Sequence, residues 1–231
     1  MVIRYLSEHQ RHIESVTFIP DPLCFPQQIS FDLLLLPILR RLYWIGATGY
    51  EEMKVLGKLL LSHANHLEEL GLDSPDWDNT EQFFTPPGNN FARYCLEVPL
   101  DEAKIVFPAL KIASLSAVSF LRAKVELAQA LNIGQLRTLK LRDCRGTNDL
   151  LADSPEALQL TSFELTKSGR YLDDWELMPL VRILKSFQSL EQLSLLCDGR
   201  RDPLIEDYWR SILHHRSTLK QFVHHQRKVK L

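Results

Sequence analysis

Histidines come in close pairs in this chain: His63 and His66 are three apart, His214 adjoins His215, and His224 adjoins His225. On a helix the three-residue spacing puts His63 and His66 on one face, where two imidazoles can share a divalent metal. A zinc site needs a third ligand of matching geometry, and no His/Cys cluster accompanies the pair. Histidine near a helix C-terminus is also favoured by the helix dipole alone. In the doublets, adjacent side chains point apart, so each offers one imidazole to a site. No metal site is expected. The four cysteines, Cys24, Cys95, Cys144 and Cys197, lie 71, 49 and 53 residues apart, without a CxxC. They form neither a disulfide framework nor a zinc motif and fit a reducing compartment. The carboxylate pairs Glu51-Glu52, Glu68-Glu69 and Asp173-Asp174 are neighbours in sequence and read as helix starts or surface. There is no Gly-x-Ser-x-Gly elbow, and Gly57-Lys58 is followed by Leu59 with no glycine loop before it, so it is not a phosphate loop. Catalytic residues, a cofactor and an enzymatic activity are therefore not expected.

Composition places the chain among ordinary globular proteins. It has 231 residues, 45% hydrophobic and 24% charged, with 27 basic against 29 acidic side chains and a formal net charge of −2. That length suits a single domain over 1–231 with a sizeable core. The longest apolar stretch, Leu33 to Leu36 followed by Pro37, Ile38 and Leu39, is far short of the roughly 20 residues a membrane span needs. Met1 to His12 has no apolar signal-peptide core. Both point to an intracellular, cytoplasmic or nuclear protein without membrane partners. Charge is unevenly spread: Glu51 to Glu102 holds eleven acidic and three basic residues, whereas Arg200 to Leu231 holds eight basic and three acidic. The asymmetry can steer a partner or serve only as a solvated end. Nucleic-acid binding wants basic residues interleaved with stacking aromatics. Only Tyr208 and Trp209 offer that here, and Trp209 reads as helix core, so no nucleic acid is expected.

The elements come from a repeat. A phrase of the form apolar-x-x-apolar-x-apolar occurs at Ile13/Val16/Phe18, Leu39/Leu42/Trp44, Leu67/Leu70/Leu72 and Leu110/Ala113/Leu115. It returns at Leu136/Leu139/Leu141, Leu160/Phe163/Leu165 and Leu190/Leu193/Leu195, and more weakly at Leu219/Phe222/His224. The starts are separated by 26, 28, 43, 26, 24, 30 and 29 residues, and the long interval carries an insertion at about 73–105. The last two apolar positions are two apart and face one side of an extended strand. Between phrases the period becomes helical. Thr48 and Glu51 have capping-box spacing ahead of Met53, Val55, Leu56, Leu59, Leu60 and Ala64. Leu121, Val125, Ala128 and Leu131 give a second face, Leu180, Val181, Leu184 and Phe187 after Pro179 a third. Asp202-Pro203 starts a fourth helix through Leu204, Ile205, Trp209, Ile212 and Leu213. Ser30 to Leu36 reads as a short helix ended by Pro37, and 148–158 as a turn or short helix.

Strand and helix alternating at this period describe stacked units that cannot bury their apolar faces alone. Here the chain resembles the leucine-rich repeat family. The best copy is Leu136-Arg137-Thr138-Leu139-Lys140-Leu141-Arg142-Asp143-Cys144, in which Cys144 falls where that family places the Asn or Cys that bonds the turn after the strand. The equivalent positions Asp21, Ala47, Pro75, Val118, Ser168 and Asp198 depart from it. The resemblance implies an α/β solenoid of about eight irregular repeats, with parallel strands on the concave side and helices on the convex side. The long, irregular repeats are similar to those of fungal F-box-type proteins, where they present a substrate-binding surface. No F-box is expected here, since the residues ahead of Ile13 leave no room for its three helices.

Recognition in such a fold belongs to the outward strand positions flanking the apolar pair. Arg41, Tyr43, Glu69, Asp73, Lys140, Arg142, Glu164 and Thr166 are the candidate partner-binding residues. Arg41 and Tyr43 are of hot-spot type, and Lys140 and Arg142 beside Glu164 and Thr166 make a mixed-charge patch. The insertion, with Trp77, Phe83, Phe84, Phe91 and the turn sequence Pro86-Pro87-Gly88-Asn89-Asn90, reads either as a partner-binding lid or as a segment folded back over the stack. The functional expectation is a non-catalytic protein-protein interaction scaffold. The alternative is the substrate-recognition part of an F-box-type ubiquitin-ligase adaptor lacking its F-box, with ligase components among its partners.

Overall fold

The computed structural model describes residues 10–19, 36–46, 50–73, 95–96, 105–120, 124–152, 158–167, 177–198 and 205–227. Eight strands follow in order: β1 (Ser15–Phe18), β2 (Arg41–Ile45), β3 (Glu69–Asp73), β4 (Ile112–Ser116), β5 (Thr138–Arg142), β6 (Ser162–Lys167), β7 (Gln192–Asp198) and β8 (Gln221–Arg227). They form one sheet in sequence order, and every neighbouring pair is parallel. Each of the eight phrases supplies one strand. The register aligns their apolar positions in two rows. Val16, Leu42, Leu70, Ala113, Leu139, Phe163, Leu193 and Phe222 form the first; Phe18, Trp44, Leu72, Leu115, Leu141, Leu165, Leu195 and His224 form the second.

Parallel strands that are sequence neighbours need a crossover, and helices supply it between β2 and β3 and from β4 to β8. Among the described residues these are α1 (Tyr50–His63), α2 (Lys124–Ala130), α3 (Thr147–Ala152), α4 (Leu177–Lys185) and α5 (Ile205–Leu213). The helix side carries the core. From β2 to β7 no residue of the two apolar rows is more than 3% exposed, and the leading Leu39, Leu67, Leu110, Leu136, Leu160 and Leu190 are buried with them. The other face stays open: along β2 the pattern alternates exposed, buried, half-buried, buried, exposed. Half-buried and buried positions alternate in the same way along β4 and β6. This alternation, common in antiparallel sheets, arises here because the described helices lie on one side.

Two backbone devices repeat at the strand ends. Ahead of each strand one carbonyl accepts two N–H groups from the next unit: Glu14 from Arg40 and Arg41, Arg40 from Glu68 and Glu69, and Glu68 from Lys111 and Ile112. The same fork recurs at Lys111, Arg137, Thr161 and Glu191. Past the strands, Gly46, Ala117 and Asp143 hold the same position in their units, and all three have positive φ, 89°, 56° and 51°. Their N–H groups donate to Asp73 (2.5 Å), Arg142 (2.8 Å) and Thr166 (2.9 Å), each the carbonyl of a residue on the next strand. A left-handed residue thus turns the chain toward the helix side without losing its hydrogen bond, and only Gly46 does so without steric cost.

Cys144 is buried at the next position, its thiol directed at the carbonyls of Leu115 (3.3 Å) and Arg142 (3.5 Å). Its own carbonyl accepts from Thr147 Oγ1 (2.7 Å) at the start of α3 and from the buried Lys167 Nζ. A small helix residue is required at Gly57, where a Cβ would lie 2.6 Å from the Cys95 carbonyl oxygen. Cys95 and Leu96 are accordingly packed and buried against α1, with the Cys95 thiol 3.4 Å from the Met53 carbonyl. These two belong to the insertion, most of which lies outside the described residues, as do most of the helix expected over 30–36, the Thr48 cap and Asp202-Pro203.

Helix faces show three corrections. Val125 is 44% exposed at the start of the short α2, and Leu127 and Ala130 take its place in the core. Trp209, expected in the core, is 39% exposed, and Leu213 is 62% exposed; among the described residues α5 is the last helix and packs on one helix, α4. Among the described residues no helix is long and apolar enough to cross a membrane.

Candidate functional site on the open face of the sheet

The alternation that buries one row of each strand sends the neighbouring residues to the open face, where the register sets them side by side. One row reads Arg41, Glu69, Ile112, Thr138, Ser162, Gln192; the next Tyr43, Gly71, Ser114, Lys140, Glu164, Ser194; a third Ile45, Asp73, Ser116, Arg142, Thr166, Leu196. Between β2 and β6 these rows enclose a depression of about 140 Å³. Its floor is Gly71, Ser114 and Ser116. Tyr43 and Ile45 form one wall, Lys140, Arg142 and Glu164 the other, and Asp73 lies on its β3 side.

The depression exists because of residue size. At Gly71 a Cβ would lie 2.2 Å from Tyr43 Cδ1, so the phenol ring lies over the glycine and no side chain fits between them. The Tyr43 hydroxyl donates to Glu69 Oε1. Burial first, then this bond and the Glu69 charge, push the phenol up to about 12. Tyr43 therefore stays a neutral donor held in place, not an acid-base group. On the opposite wall Arg142 Nη2 pairs with Glu164 Oε1 at 3.1 Å. Neither Lys140 nor Asp73 has an ion-pair partner among the described residues.

Of the eight candidate residues, Tyr43, Asp73, Lys140, Arg142 and Glu164 line the depression. Glu69 stands behind it, holding the phenol. Arg41 is exposed one row away, and Thr166 lies beside Arg142 on β6. Sequence reasoning placed Ile45, Gly71, Ser114 and Ser116 outward but did not select them. The available signal was a run of small side chains at adjacent outward positions of two consecutive phrases. It also passed over the charged row just ahead of the strands. There Glu68 is bridged by Arg40 Nη1 (2.6 Å) and Lys111 Nζ (3.1 Å), and Lys220 Nζ meets Glu191 at 2.9 Å. The bonds from Lys111 and Arg40 hold the Glu68 carboxyl below its usual range.

The histidines do not converge. His63 is buried and His66 exposed, with ring centroids 5.8 Å apart and edge-on. Among the described residues no group of three His, Cys, Asp or Glu side chains is placed to hold a metal. His214 points to solvent, whereas His215 is buried with Nε2 2.7 Å from the Leu184 carbonyl; burial lowers its pKa. The buried Cys144 thiol is pushed up to about 12 and Cys95 is raised as well, both chiefly by burial, which leaves neither as a nucleophile.

Compared with known proteins, the sequence matches no family model and no curated protein. Fold and site together define an α/β protein built on one all-parallel sheet, with helices on one face and, among the described residues, none on the other.

Proposed function

We propose that the chain is a solenoid of the leucine-rich repeat type and works as a non-catalytic scaffold, a protein partner meeting the concave, open face of its sheet. The observation that carries this reading is the depression on that face, with five of its lining residues drawn from the positions singled out for partner contact. The repeat spacing, the sequence-ordered parallel sheet and the buried thiol of Cys144 bonding the turn after β5 support the solenoid assignment. Mixed-charge side chains around the depression, half-buried apart from the exposed Arg142, on a rigid sheet suit recognition, since the strands fix the geometry before the partner arrives. Affinity capture from the native cell, followed by Arg41→Glu and Arg142→Glu, tests the reading. A partner specific to the wild-type protein and lost from both variants is expected; its undiminished recovery would remove the open face from the account. A Skp1-type adaptor in the same capture would support the further reading as a ubiquitin-ligase adaptor component.

A further inference from the structure

The walls of the depression carry opposite charges. Among the described residues the Asp73 carboxylate on β3 has no ion-pair partner, and two strands away β5 presents Lys140, likewise without one, and Arg142, which shares its charge with Glu164. Between them β4 offers only Ser114 and Ser116, short hydroxyl-bearing side chains that leave the space open. A ligand lying across the strands therefore meets a negative group, then a polar floor, then a positive group, with the Tyr43 ring along one flank.

The spacing restricts what fits. Two strand intervals put Asp73 and Arg142, which share a row, about 9.6 Å apart at the backbone, with Lys140 one row to the side. A single amino acid is too short to satisfy both ends. In a peptide of polyproline type, residues three apart share a face and are separated by about 9.3 Å. An ordinary β-strand puts residues three apart on opposite faces, so the same pair would not both point at the sheet. A threefold extended conformer matches the spacing of Asp73 and Arg142; a pleated one does not.

From this match we infer that the depression binds a short linear peptide segment lying across β3 to β5 in a polyproline-type conformation. It carries an acidic side chain for Lys140 and Arg142 and, three residues away, a basic side chain for Asp73. The inference rests on the proposed role of the open face in protein binding and gives that role its ligand chemistry. The acidic side chain meets a cation, Lys140, that has no carboxylate partner among the described residues. The basic side chain satisfies Asp73, and the intervening residues lie over Ser116, with Ser114 and the phenol alongside.

Selection of random linear peptides by display on the intact chain tests it. Enrichment of sequences with an acidic and a basic residue three apart, in one fixed order, is the expected result. Lys140→Glu lowers the affinity of a selected peptide about tenfold or more, because repulsion replaces attraction. The double exchange Asp73→Lys with Lys140→Glu restores selection with the order of the two charges inverted. That gain of binding also shows the variant to be folded. Absence of enrichment, or enrichment without the charged pair, overturns the inference. The second variant Ser114→Trp fills the floor and separates the two levels. Selected peptides that lack the charge pair yet are displaced by Ser114→Trp leave the open-face reading standing. Peptides indifferent to both Ser114→Trp and the charge exchange remove that reading as well.

Discussion

Replacing Leu139 by alanine probes the register at the centre of the sheet. Leu139 is 1% exposed and lies between Ala113 on β4 and Phe163 on β6, on the helix side. The change deletes three carbons; at about 0.8 kcal/mol per buried methylene the transfer term alone is about 2.4 kcal/mol. The cavity adds to this, because β4 and β6 are held by backbone ladders and cannot collapse into the space, so a total near 3–5 kcal/mol is expected. Lys140, one residue on, faces the depression and has no ion-pair partner among the described residues. Lys140→Ala is expected to change stability by less than about 0.5 kcal/mol. Urea unfolding followed by circular dichroism, with the slope compared between variants, reads both numbers. Melting should fall by roughly 6–20 °C for Leu139→Ala and by about 2 °C at most for Lys140→Ala. Similar losses at the two positions would refute the alternation on which both the buried face and the depression depend.

Other outcomes follow from single contacts. Ala117 holds a left-handed φ of 56° where the equivalent residue of β2's unit is Gly46, so Ala117→Gly is expected to stabilise by roughly 1 kcal/mol in the same unfolding assay. Cys144→Ala leaves the Leu115 carbonyl without its thiol donor and should cost about 1–3 kcal/mol; in the wild-type protein the Cys144 thiol should alkylate only on unfolding. In Gly71→Ala the added methyl displaces the Tyr43 ring, and the tyrosine near 12 should return toward 10 in an ultraviolet titration, with Tyr43→Phe marking which transition is lost. His215 is buried with its pKa lowered from 6.5, so the unfolded chain binds the proton more readily. Its contribution is complete above about pH 6.5 and is lost as pH falls toward the lower folded value, a slope that His215→Phe should reduce.

Most of the sheet was legible in the sequence because its signal is local and repeated. Leu70 and Leu72, or Phe163 and Leu165, declare a strand by themselves, and eight such phrases at near-constant spacing declare a common register. Helix faces were less legible, since a face is defined by what packs on it. Val125 satisfies the period yet is exposed, and Trp209 satisfies it in a helix that packs on one helix among the described residues. The site was half legible. Tyr43, Asp73, Lys140, Arg142 and Glu164 followed from type and position, but the depression depends on what is missing at Gly71, Ser114 and Ser116. A small side chain carries no hydrophobic or charge signal, and only the register shows that the three lie together.

The forked carbonyls have a bearing on how such a chain changes length. Because every unit is joined to the next by the same two N–H groups on one oxygen, the joints are interchangeable parts. Excising 111–136 would bring the amides of Arg137 and Thr138 to the Glu68 carbonyl now used by Lys111 and Ile112, and would set the Arg137 guanidinium beside the Glu68 carboxylate in place of Lys111. Whole-rung gain or loss thus preserves the coupling chemistry, and a lineage carrying this architecture can lengthen or shorten its sheet without inventing a new junction.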